Sequence, residues 1–320
     1  MLPIISSLVM TMLLLLFGRT TKVFCLKSNI GLEDNINNNN NNDDGFNLDA
    51  IPNLKLNHSN GILDEILDND HRDHLLSKER IYNGEVVQIG VITSFVEIII
   101  GENGKRVSWC AGSLIDRQHV LTSASCLDAA NENRSIFLIM GVVNINDNRR
   151  VVSEAISKIV HPLYNNKDYP YAYDVALLRI KTVEYSRNLQ PAILAGKSTT
   201  EQSMFELPLY ILGYGDINLG PNNQVLKYSS AKLRKMSECD EYNKTESTLC
   251  ARANPGSPCL GDEGGPVYVF YHGTFVQVGI AMVNIFEHCE VNQNFAFTNV
   301  GPYKEWIYKT ILSDICQSNV

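Results

Sequence analysis

From Arg80 onward the chain is written in short apolar runs rich in β-branched and aromatic residues, "SFVEIII", "SIFLIMGVV", "DVALLRI" and "LYILGYG", cut apart by Gly, Asn and Asp. Runs of this length bounded by turn formers predict strands rather than helices. "PVYVFYHGTFVQVGIAMV" predicts a hairpin that turns at His272-Gly273. Only "GPYKEWIYKTIL" carries a helical stripe, through Tyr303, Trp306, Ile307, Thr310 and Ile311. Many short strands and one closing helix predict an all-β barrel or sandwich, and no internal repeat stands out.

The stretch before Arg80 has a different texture. "MLPIISSLVMTMLLLLFG" holds an apolar run that ends at Phe17, too short for a membrane span and placed as a secretory signal is. Val23 and Cys25 suit the small-residue positions of a cleavage site, so residues 1–25 are expected to be a signal peptide. Residues 26–80 read as an acidic, Asn-rich leader: "NINNNNNNDDGFN" cannot bury enough apolar surface to offset its ordering entropy. "GILDEILDNDHRDHLL" is compatible with a short amphipathic helix or with a disordered acidic segment.

Charge and cysteine usage narrow the class. The chain of 320 residues has net charge −8, of which residues 26–80 carry −6, so no basic surface points to nucleic acid. Eight cysteines (25, 110, 126, 239, 250, 259, 289, 316) and three sequons, at Asn57, Asn133 and Asn243, agree with export to an oxidising compartment. Zinc would also use cysteine, but no pair has C-x-x-C spacing and histidines are not interleaved with them. Disulfides are expected, with no metal and no cofactor.

Four segments in order resemble the chymotrypsin-like (trypsin-family) serine proteases: "RIYNG" at 80–84, "SWCAGSLIDRQHVLTSASC" at 108–126, "DVALLRI" at 174–180 and "GDEGGP" at 261–266. "ILGYG" and the closing "EWI" fit the same template, so the domain is expected over 81–320. The resemblance implies two antiparallel six-stranded β-barrels with a C-terminal helix and an active site in their seam. It also implies disulfides Cys110–Cys126, Cys239–Cys250 and Cys259–Cys289. If the signal is cut after Cys25, Cys316 is left odd, free or bridged to a partner chain; an earlier cut leaves Cys25 able to join it. "GKRVSWCAGSLID" is similar to insect collagenase-like members, which implies an arthropod source.

Acyl transfer in this family needs a hydroxyl nucleophile, an imidazole and a buried carboxylate. At the matching positions stand Glu263, Ser125 and Asp174. A serine hydroxyl cannot shuttle a proton at neutral pH, and His119, His161, His272 and His288 all fall elsewhere in the motif order. Ser125 is expected to hydrogen-bond Asp174 so that the buried carboxylate is not orphaned. Asp174 and Glu263 as a working carboxylate pair is the alternative chemistry, with no sugar cleft or flap in the sequence to support it.

By resemblance, Ser257, Asn284 and Phe295 line the substrate pocket; Phe295 stands where a wall glycine is needed, and Ser257 puts no acid at the floor. Arg80-Ile81 resembles an activation junction, and Asp262 the acid that receives the new amino terminus. The chain is therefore expected to be a secreted, non-catalytic homolog that binds extracellular proteins, a protease or a protease substrate, as cofactor, decoy or antagonist in a cascade such as immunity, clotting, saliva or venom. The competing reading is an active endopeptidase with non-standard catalytic residues.

Overall fold

The computed structural model describes residues 84–318 except 103–104, 132, 166, 168–171, 197–200, 206, 216–223, 240–244, 246 and 284–291. The expected signal peptide and leader, Arg80, Ile81, Cys25, Asn57, Asn243, Asn284, His288 and Cys289 lie outside the described residues.

The first half closes into a barrel from β2 (Phe95–Glu102), β3 (Lys105–Leu114), β4 (His119–Thr122), β5 (Ser135–Met140), β6 (Val151–Val160) and β7 (Ala176–Ile180), in the order β2-β3-β4-β7-β6-β5. Alternation along β2 sends Val96, Ile98 and Ile100, each 0 % exposed, to the interior. They meet Cys110, Leu114, Val120, Leu138, Met140 and Leu178 from the neighbouring strands. Cys110–Cys126 ties β3 to the 3-10 turn Ser125–Ala129, with Cα atoms 6.0 Å apart. That tether fixes where Ser125 sits relative to the barrel wall.

The second half uses β9 (Leu209–Gly213), β10 (Lys227–Arg234), β11 (Thr248–Ala253), β12 (Pro266–Tyr271), β13 (Thr274–Met282) and β14 (Asn294–Asn299). They run β10-β11-β14-β13-β12-β9, and pairing of β9 with β10 closes the second barrel. β1 (Glu85–Val86) adds antiparallel to β10, and β8 (Ile193–Leu194) parallel to β13. The β12–β13 hairpin turns at His272 and Gly273, with φ of 48° and 82°, as the sequence predicted. The barrels are bonded to each other through polar groups: Ser113 Oγ donates to Gln277 Oε1 at 2.7 Å, and Thr298 Oγ1 to the Asp174 carbonyl at 3.3 Å. Two helices complete the fold: the single turn α1 (Glu201–Met204) and the C-terminal α2 (Lys304–Ser318), which carries a Glu305–Lys309 ion pair at 2.7 Å.

Two of the three expected disulfides, Cys110–Cys126 and Cys239–Cys250, are present. Cys259 is disulfide-bonded to a cysteine outside the described residues. Cys316, for which the sequence left two outcomes open according to where the signal is cut, is disulfide-bonded as well. Of the sequons, Asn133 is described and exposed, in a turn where its N–H donates to Asn131 Oδ1 at 3.0 Å. Replacing both Cys110 and Cys126 by alanine should lower the unfolding free energy by about 3 kcal/mol, the loop-entropy value for a 16-residue separation. Urea titration of both proteins without reductant measures it.

Candidate active site and its buried acids

Asp174 enters the seam just before β7. It is 1 % exposed, and the preceding Tyr173 takes φ 54° to aim it. Its Oδ1 accepts the Ser125 N–H at 2.7 Å and its Oδ2 the Ser125 hydroxyl at 2.8 Å. The bond expected between these residues is therefore present, and the serine satisfies the carboxylate that an imidazole would otherwise hold. Burial pushes Asp174 up to about 6, against the opposing pull of the Ser125 N–H, the Ser125 hydroxyl and the Ala124 N–H.

The loop 261–265 is clamped by backbone bonds from both barrels. Ala111 N–H of β3 donates to the Glu263 carbonyl at 2.8 Å; Gly264 N–H donates to Ala281 O, and Ala281 N–H to Gly265 O, on β13. Gly264 has φ 80°, and a Cβ there would lie 2.3 Å from Thr122 Oγ1 and 2.5 Å from the Ala111 carbonyl. Only glycine permits that approach. Asp262, 1 % exposed, turns inward and accepts the N–H groups of Gly215 at 2.7 Å and Cys259 at 2.9 Å. Burial raises it to about 7, with the Glu263 charge adding to the rise.

Glu263 does not reach into open space. Its side chain bends back over its own loop, and Oε2 accepts the Gly261 N–H at 2.8 Å. Its own N–H also stabilises the carboxylate. Burial nevertheless raises it to about 7, and the Asp174 charge contributes, which places the two acids within electrostatic reach across the seam. Among the described residues neither carboxylate takes a hydrogen bond from an imidazole. His119 pairs with Asp116 at 2.9 Å, His161 stacks on Tyr173 at 5.4 Å, and His272 is exposed at its hairpin tip. Both acids of the carboxylate-pair reading already have fixed N–H or hydroxyl donors.

A fourth acid escaped the sequence reading. Glu97, inside "SFVEIII", is 1 % exposed, and among the described residues neither carboxyl oxygen has a hydrogen-bond partner. Burial, then the charges of Asp262 and Glu263, hold it well above the usual carboxylate range, with Arg106 opposing. The signal was one glutamate on the opposite face of a strand whose other face is Val96, Ile98 and Ile100. A lone charge there ordinarily faces water; here that side of β2 faces the second barrel. Beside the cluster, Trp109 keeps an unpartnered, buried indole N–H against Gly261, while the Arg106 guanidinium lies 4.7 Å above its ring. Of the expected pocket residues, Ser257 is fully buried. Phe295 is 2 % exposed, its ring 6.3 Å from that of Phe297 in the apolar cluster of the second barrel.

Two closed six-stranded barrels, a C-terminal helix and a loop of this form define the chymotrypsin fold. The sequence matches the family described as Trypsin over residues 81–307, and the chain belongs to it. It is 30 % identical over 238 residues to a collagenase of Hypoderma lineatum, covering 72 % of this chain and 87 % of the relative. It is 28 % identical to chymotrypsin-like elastase family member 1 of Macaca fascicularis over 221 residues, 65 % of this chain and 81 % of the relative. The solved structure of HL collagenase superposes with a TM-score of 0.58 at 28 % identity, covering 72 % of this chain and 97 % of that one.

Asp174, Asp262 and Glu263 are protonated more readily folded than unfolded, so the folded state binds extra protons between the ordinary carboxylate pKa near 4 and about 7. Their contribution to stability is full below about pH 4 and is lost as pH rises through 6 to 7. Glu263→Gln, which keeps an acceptor for Gly261, should remove part of that slope and gain on the order of 2 kcal/mol at pH 8 relative to pH 5. Urea midpoints of both proteins at the two pH values test it; parallel slopes would contradict the assignment.

Proposed function

We propose that this chain is a secreted, non-catalytic member of the trypsin family that acts by binding an extracellular protein, a protease or a protease substrate, in a proteolytic cascade. The observation that carries this is the state of the Glu263 carboxylate. In active members, the backbone N–H groups of the nucleophile and of the residue two before it stabilise the oxyanion of the tetrahedral intermediate. Here the Gly261 and Glu263 N–H groups both serve the Glu263 side chain. A carboxylate thus stands where a hydroxyl should attack and draws on the donors the reaction would need. Ser125, bonded to Asp174, leaves no base beside it.

Other features support the same reading. By the resemblance Phe295 stands where a pocket-wall glycine is needed, and its ring packs in the apolar cluster of the second barrel. Leu163, Tyr173 and Leu260, 59 %, 38 % and 38 % exposed, offer apolar surface next to residues that bond or adjoin the site. Disulfides and an exposed sequon at Asn133 support an extracellular location. A cut at Arg80-Ile81, giving Asp262 an ammonium partner, is part of the proposal; it would control binding rather than turnover.

Purified protein should not be labelled by a fluorophosphonate probe, and its kcat/KM on peptide amides should lie at least about four orders of magnitude below that of an active family member. Heat-sensitive covalent labelling would instead support an endopeptidase with altered chemistry. Ser125→His with Glu263→Ser should recover little cleavage, because Phe295 remains; strong recovery would refute the pocket reading. Pull-downs from the natural fluid before and after cleavage at Arg80 would identify the partner.

A further inference from the structure

A groove of ≈ 470 Å³ lies between the segment 91–94, the stretch 190–193 and the β12–β13 hairpin, with no residue of the loop 261–265 in its lining. Its walls are apolar, chiefly Ile92, Ala192, Ile193, Phe270 and Phe275. The aromatic rings there are in contact with one another: Phe275 meets Tyr268 edge-on at 6.0 Å and lies tilted against Phe270 at 4.9 Å. Among the described residues no charged side chain lines it. Such a volume lies in the range of small-molecule sites.

The floor carries the informative detail. Ser94 Oγ and Tyr268 Oη, on residues 5 % and 1 % exposed, are 2.6 Å apart and bonded to each other. Two hydroxyls own two protons, and one bond uses one of them. Neither hydroxyl has another partner among the described residues, so one O–H at the floor is left to donate. Buried donors of this kind are normally satisfied, and the groove is the open side from which an acceptor can arrive.

We propose that this groove is a binding site for a small, neutral, aromatic molecule bearing one hydrogen-bond acceptor oxygen. The body of the ligand packs between Ile92, Ala192 and the Phe270–Phe275 pair, where offset and edge contacts with aromatic rings are favourable. Its oxygen accepts from the Ser94–Tyr268 pair. The absence of lining charge disfavours an ionic ligand, whose desolvation nothing in the groove would offset. The site is independent of whether loop 261–265 is catalytic.

Acetophenone serves as the probe, isopropylbenzene as its acceptor-free counterpart and benzoate as its charged one, with binding to the full chain followed by ligand-observed NMR and calorimetry. Acetophenone should bind saturably, isopropylbenzene roughly three- to ten-fold more weakly, the effect of one hydrogen bond, and benzoate not at all. The Ser94→Ala/Tyr268→Phe double variant should bring acetophenone down to the hydrocarbon's affinity. Ala192→Trp, which fills the groove from its rim, should abolish binding of both; Thr274→Trp is the substitute if that variant does not fold. Loss of the preference for acetophenone in the wild type, unchanged binding in a groove-filling variant, or no saturable binding of either neutral probe would overturn the proposal.

Discussion

The clamp on loop 261–265 is the constraint from which the rest of the site follows. Three backbone hydrogen bonds, one to β3 and two to β13, hold that loop against both barrels at once. The loop can lie so close to Thr122 and the Ala111 carbonyl only because residue 264 has no side chain. With the backbone fixed, the side chains of Asp262 and Glu263 have little choice. One is driven inward to the N–H groups of Gly215 and Cys259, the other back onto Gly261. Gly213 completes the fit, since a Cβ there would fall 1.8 Å from an Asp262 oxygen.

Four carboxyl groups, Glu97, Asp174, Asp262 and Glu263, are thereby gathered at one junction, and burial raises each of them. They are not equally provided for. Asp174 accepts from Ser125 and Ala124, Asp262 from Gly215 and Cys259, Glu263 leans on loop amides, and Glu97 has no donor among the described residues. A buried group without donors resists ionisation most strongly, and its neutrality relieves the neighbours whose charges it would otherwise oppose. Charge on one acid raises its neighbours: Glu263 adds to the rise of Asp262, Asp174 to that of Glu263, and both loop acids to that of Glu97.

The strands were legible because runs such as "DVALLRI" and "LYILGYG" are bounded by turn formers, and β7 and β9 fall within them. Pair order and barrel closure were legible only through the family resemblance, because pairings such as β9 with β10 join residues far apart in sequence. The stripe that marked the C-terminal helix stops at Ile311, whereas α2 runs to Ser318, since helix propagation does not require apolar periodicity once the first turns exist. Glu97 was missed because alternation gives the side of a strand, not what covers that side. The turn-back of Glu263 was equally hidden: it depends on φ of 98° at Gly261 and 80° at Gly264, which tertiary bonds select.

Trp109 lends the molecule an optical property. Its indole N–H is buried against Gly261 with the Arg106 guanidinium 4.7 Å over the ring, so a fixed positive charge contributes to the local electric field there. Emission wavelength follows such fields, and the chain contains a single other tryptophan, Trp306. The junction thus carries an intrinsic fluorophore against Gly261, the residue whose N–H holds the Glu263 carboxylate.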